Sequence, residues 1–240
     1  MHLTFTPPRC SLRRFARRLR GDGRGAALIE FAFGLPLVLG FGCYGVETAN
    51  LAIANLRISQ IALNLADNAS RVGDLQSDNS VQLREVDVND VLTAARLQGA
   101  PWNLTERGRI TLSSLEEKSG KQYIHWQRCL GLKKGAKYES RYGKAKPTDG
   151  IDATTANAGP VVTGMGEPNA RVTAPPSSGV MFVEISYDVE PVVGLAWLPA
   201  RLNRLHYTAS FIVRDRRTFD RIYNPSPTAP RYTCDKYTMA

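Results

Sequence analysis

Glu30 is the residue whose setting most demands a chemical reason. From Ala26 to Val46 it is the one charge in an apolar run, and roughly 20 such residues as a helix cross a bilayer. A carboxylate inside a bilayer costs roughly 2.5–3.5 kcal/mol on insertion scales. A cut between Gly25 and Ala26 creates a cationic amine on Ala26 and leaves Glu30 fifth in the shortened chain. In lipid the amine and the carboxylate are each costly alone. Pairing them between neighbouring subunits offsets part of both costs and favours one axial register. The plainer account is a solitary glutamate reaching the cytoplasmic interface from near the helix start.

The remaining reactive side chains form no recognisable catalytic or metal pattern. There is no CxxC, and the histidines are His2, His125 and His206, so no spacing points to a metal site or a cofactor. His125 and His206 each fall inside a strand pattern, with no serine or cysteine set beside them by a nucleophile elbow. Glu184 and Asp188 share a strand, and a carboxylate pair alone is a weak enzyme signal. They read as solvated strand-face charge. Cys10 lies before the apolar run and Cys43 within it, where it packs as a small residue. Cys129 and Cys234 would both face an oxidising periplasm, where a disulfide persists; a bridge and two free thiols are both open.

The net charge of +9 invites a nucleic-acid reading, but its distribution opposes it. Residues up to Gly25 hold seven Arg and one Asp, or +6, leaving +3 for the remainder. The positive-inside bias then puts the arginines in the cytoplasm and the C-terminal part across the membrane. Three readings of this N-terminal segment compete. A secretory signal needs a small-residue cut after the apolar run, near Ala49 or Ala52. A twin-arginine signal is hinted at by Ser11-Leu12-Arg13-Arg14-Phe15, with its arginines shifted from the usual pattern. The third cuts before the run and keeps it in the mature protein. Glu30 favours the third, because a secretory apolar region gains nothing from a carboxylate.

These residues need a long helix to carry them. Gly34, Gly40, Gly42 and Gly45 give the apolar segment small packing surfaces, and Pro36 bends it. Beyond Val46, Ile58, Ile61, Leu65 and Ala69 recur at helical spacing between polar residues. The same helix therefore continues, its stripe covered by a following domain, and ends at Gly73-Asp74. Asp74 to Ser80 reads as a loop, and Val88 to Gln98 as a helix with Asp87 at its N-cap. Strands are predicted over Arg109–Leu115, Gln122–Leu130, Val180–Val189 and Arg204–Arg214. Ile124 and Trp126 fall on one strand face, with Trp126 a core anchor. Residues 131–179, rich in Gly, Pro, Thr and Ala with an early run of lysines, read as a mobile loop. The expected organisation is a leader (1–25), a long helix (26–72) with its first half transmembrane, and a periplasmic domain (73–240). The fold class is α+β: a long helix packed on a small antiparallel sheet.

The chain resembles the TadE/TadG-type proteins of the tight adherence (Tad/Flp) pilus system. The resemblance covers nearly the whole mature chain. It is carried by Gly25-Ala26-Ala27-Leu28-Ile29-Glu30-Phe31-Ala32, Leu35-Pro36 and Gly45-Val46-Glu47, then by Trp126-Gln127-Arg128-Cys129-Leu130-Gly131 and Ser140-Arg141-Tyr142-Gly143. Phe182-Val183-Glu184-Ile185-Ser186-Tyr187, the run Ala209 to Arg217, Ile222-Tyr223-Asn224-Pro225 and Cys234 complete it. The resemblance implies a type IV pilin-like fold and a minor pseudopilin in the bacterial inner membrane, N-terminus cytoplasmic, not an enzyme. A TadV-type prepilin peptidase would cut after Gly25. Glu30 and Phe31 would serve assembly with the inner-membrane platform, other minor pseudopilins and Flp pilin. It also implies a Cys129–Cys234 bridge. The chain lacks the length for the large extra domain of the longest TadG-type members. The alternative is an uncleaved membrane-anchored binding or adhesion protein.

Overall fold

The computed structural model describes residues 20–21, 23–194 and 203–239. Most of the leader, including His2, Cys10 and Ser11–Arg14, lies outside them. One helix dominates: α1 runs Arg24–Arg71, 48 residues, with Pro36 inside it. Its N-terminal half projects with its side chains exposed, whereas Ala54, Ile58, Ile61, Ala62, Leu65, Ala66 and Ala69 are buried. The change from uniform apolarity to a stripe marks where the chain's own domain begins to cover the helix. The helix stops at Val72 and Gly73. At Gly73 (φ +153°) a Cβ would lie 2.4 Å from Val81 Cγ1, so glycine is required for the exit turn.

The segment expected to be a loop after α1, Asp74–Ser80, opens with β1 (Asp74–Leu75), which pairs with β2 (Val81–Gln82) just beyond it. Helix α2 spans Glu85–Gly99, starting three residues before the expected Val88. The expected N-cap is corrected as well. Arg84 holds that position, and Asp87, at the third helical residue, accepts the Arg84 backbone N–H at 3.0 Å. The carboxylate caps the helix from inside its first turn. A short helix α3 (Leu104–Arg107) leads into the main sheet.

That sheet contains β3 (Gly108–Lys118), β4 (Lys121–Leu130), β5 (Val161–Val162), β6 (Gly179–Asp188) and β7 (Arg204–Ile212), in the order β5-β4-β3-β6-β7. Every neighbouring pair is antiparallel. The architecture is therefore α+β, with one short edge strand more than the four expected. The C-terminal half of α1 and α2 cover one face, burying Ile110, Leu112, Trp126, Val183, Ile185 and Ala209. A register shift between Ser114 and Leu115 breaks the predicted alternation of β4. Trp126 joins the helix-side core, while Ile124 packs in a second cluster with Leu115, Val180 and Phe182. A bulge re-aims the side chains beyond it, which no period-2 reading foresees.

The stretch 131–179 has little regular structure, yet much of it is packed. Met165 and Ala174 are buried in the second cluster, and Gln127 Oε1 accepts the Ala145 N–H at 2.9 Å. At Gly159 (φ +82°) a Cβ would lie 2.0 Å from the Ile124 carbonyl oxygen. This close approach lets the stretch lie against β4.

Candidate functional site

The residues expected to act in cleavage and assembly stand on the free half of α1. Gly25 and Ala26 form its first turn, with the Ala26 N–H donating to the Gly23 carbonyl at 3.2 Å. Glu30 is exposed and, among the described residues, has no hydrogen bond or ion pair. Phe31 beside it is 63 % exposed. Ala26 and Glu30 are four residues apart, about 6 Å along the axis and on one helix face. Ala26 and Glu30 therefore face the same side of α1. Gly34, Gly40, Gly42 and Gly45 have open space where a Cβ would project, so another helix can approach closely. The helix contains a window of mean hydropathy 1.9, none of it buried, and could span a membrane.

Glu47, at the end of the apolar run, has a structural partner that no local pattern foresees. Glu47, the next charge after Glu30, is 0 % exposed. Its carboxylate accepts the backbone N–H groups of Val192 (3.3 and 3.1 Å) and Val193 (2.8 Å). Asn50, on the next turn, donates to the Glu190 carbonyl at 2.8 Å. The segment that follows β6 is thus tied to α1 where the apolar run stops.

The side chains with acid–base capacity lie in the domain. Ser186 Oγ and His206 Nδ1 are 3.0 Å apart on β6 and β7. Burial first, then the Arg141 charge, pushes the imidazole down to about 4, so it is neutral at pH 7. In a hydrolytic triad a carboxylate holds the second ring nitrogen, whereas His206 Nε2 is buried with no partner among the described residues and Ser186 is covered. Glu184 corrects the sequence reading. It is 3 % exposed, accepts the Arg141 backbone N–H at 2.9 Å, and burial raises its carboxyl above the usual range. Asp188 is half-buried, bonded to Tyr138, Lys133 and Arg204. On β4, His125 Nδ1 meets Glu116 Oε2 at 2.6 Å. Burial opposes the imidazolium, but the Glu116 hydrogen bond and charge outweigh it and lift the pKa. The adjoining cavity of about 30 Å³ has room for about one water. Among the described residues no group of three or more His, Cys, Asp or Glu is placed to hold a metal.

Cys129 and Cys234 are joined in a disulfide that ties β4 to the tail, 105 residues apart in sequence. Beside it Arg109 donates to the carbonyls of Gly131, Cys234 and Lys236 and lies 4.3 Å from the Tyr237 ring centroid. The adjoining cavity measures about 220 Å³, below the ~300–1,000 Å³ of usual small-molecule sites. The Arg109 contacts hold the tail. The chain matches no protein-family model, no curated protein and no solved structure.

Proposed function

We propose that the protein is a membrane-tethered structural subunit of the type IV pilin kind, a minor pseudopilin of a Tad/Flp-type assembly. The observation that carries the reading is the division of α1. One helix of 48 residues is bare and apolar over its first half and is the spine of an α+β domain over its second. Glu30 stands four residues beyond the proposed new terminus, with no hydrogen bond or ion pair among the described residues. In this reading a TadV-type prepilin peptidase in the inner membrane cuts after Gly25. Glu30 then pairs with the Ala26 amine of a neighbour, and Phe31 packs beside it. The domain faces the periplasm, bridged by its disulfide, and meets the platform proteins, other minor pseudopilins and Flp pilin. No catalytic step and no nucleic acid enter this account.

Two substitutions test it. Gly25→Leu should leave the precursor uncut, whereas Glu30→Ala should permit cutting but lose incorporation into the assembly. Normal processing of the first and normal assembly of the second together would instead fit the uncleaved binding protein.

A further inference from the structure

We propose that the Glu190–Gly194 bend is a membrane-surface foot, with Val192 and Val193 seated in the headgroup–acyl boundary of the bilayer that α1 crosses. This rests on the reading of α1 as a span. If Ala26–Val46 fills a hydrocarbon core of ~30 Å, Glu47 lies at its edge, and the three N–H contacts to Glu47 fix the bend at that depth. The two valines are 66 and 42 % exposed. An isolated exposed valine is ordinary; two adjacent ones pinned beside a span are placed to meet lipid.

The hydrogen bonds supply a second reason. Backbone enters an apolar medium only when its polar groups are satisfied. Glu47 takes up the N–H groups of both valines, and the bend in turn buries the carboxylate away from lipid. Each group thereby removes the other's desolvation problem. Nearby, Arg107 pairs with Glu190, and Lys133 and Arg204 pair with Asp188.

The test uses the full chain with Cys10→Ser and Cys43→Ala, carrying one cysteine-linked fluorophore at Leu37→Cys, Val192→Cys or Lys121→Cys. Lys121 begins β4 at the end of the sheet opposite Asp188. The protein is reconstituted in phosphatidylethanolamine–phosphatidylglycerol vesicles containing lipids with a quencher either shallow or deep on the acyl chain. The expected result is deep quenching of the Leu37 label and shallow quenching of the Val192 label. The latter should exceed that at Lys121 by at least about twofold, as for a group ~5–10 Å into the interface. A Val192 label as unquenched as Lys121, with Leu37 quenched, overturns the foot and leaves the span intact. An unquenched Leu37 label overturns the span and the foot with it. Adding Glu47→Gln should lower quenching at Val192 toward the Lys121 level, and unchanged quenching would refute the role given to Glu47.

Discussion

Removing the Glu85 carboxylate tests how the domain is held together. Glu85, in the first turn of α2, and Arg128, on the helix-facing side of β4, are both 0 % exposed. Arg128 donates from Nε to Glu85 Oε2 at 2.9 Å and from Nη2 to Oε1, a two-point grip. Arg231 lies 3.4 Å from the same carboxylate. In Glu85→Ala the guanidinium keeps its hydrogen bond to the Gln127 carbonyl and its place 5.8 Å from the Trp126 ring centroid, but no anion among the described residues. Leaving one partner of a buried pair uncompensated costs ~3–5 kcal/mol. Loss of a favourable charge at the helix N-terminus adds ~0.3–1 kcal/mol. Domains of ordinary stability have ~5–15 kcal/mol in all, so the loss should be plain in urea unfolding of the full chain in detergent, followed by tryptophan fluorescence. The paired replacement Glu85→Leu with Arg128→Met removes the fully buried pair together and leaves only Arg231, 39 % exposed and able to reach solvent, so it should cost far less than the single change. A single variant within ~1 kcal/mol of the parent, or a double variant as damaged as the single, would refute the reasoning.

Three further outcomes follow from the same geometry. Cys234→Ser opens a loop of 105 residues and should cost up to ~4.7 kcal/mol by loop-closure entropy, measured by the same unfolding experiment under non-reducing conditions. Gly159→Ala forces a Cβ to within 2.0 Å of the Ile124 carbonyl oxygen at φ +82°; it should speed hydrogen exchange and proteolysis in 150–165 while α1 and α2 stay protected. His206 is held neutral, its pKa lowered to about 4, so its stabilising contribution is present above its ordinary value of ~6.5. That contribution is lost as pH falls from there through about 4. His206→Asn should therefore show a shallower fall in melting temperature over that window, and identical pH profiles would contradict the assignment.

The sequence was most readable where apolar pattern alone decides structure. β6 is found at Gly179–Asp188 against an expected Val180–Val189, and β7 starts at Arg204 as expected. The buried stripe of α1 falls on the predicted Ile58, Ile61, Leu65 and Ala69. What stayed hidden was buried polarity. Glu85 marks the true start of α2, but a carboxylate reads as solvent-facing until its partner Arg128, 43 residues away, is known. Glu116, just past the predicted end of β3, is buried where His125 meets it, and Glu184 is buried under residues 140–141 rather than solvated. The Glu47 contact spans 145 residues. Such pairs are set by tertiary approach, which local periodicity does not encode. Strand order stayed out of reach for the same reason.

Intact mass with N-terminal sequencing of protein recovered from host membranes locates the N-terminus of the mature chain. The expected chain begins at Ala26, with the apolar half of α1 retained. A chain beginning at Met1 would make the protein an uncleaved anchor and contradict the Ala26–Glu30 pairing. A chain beginning after Val46 would mean that the apolar run is a discarded signal.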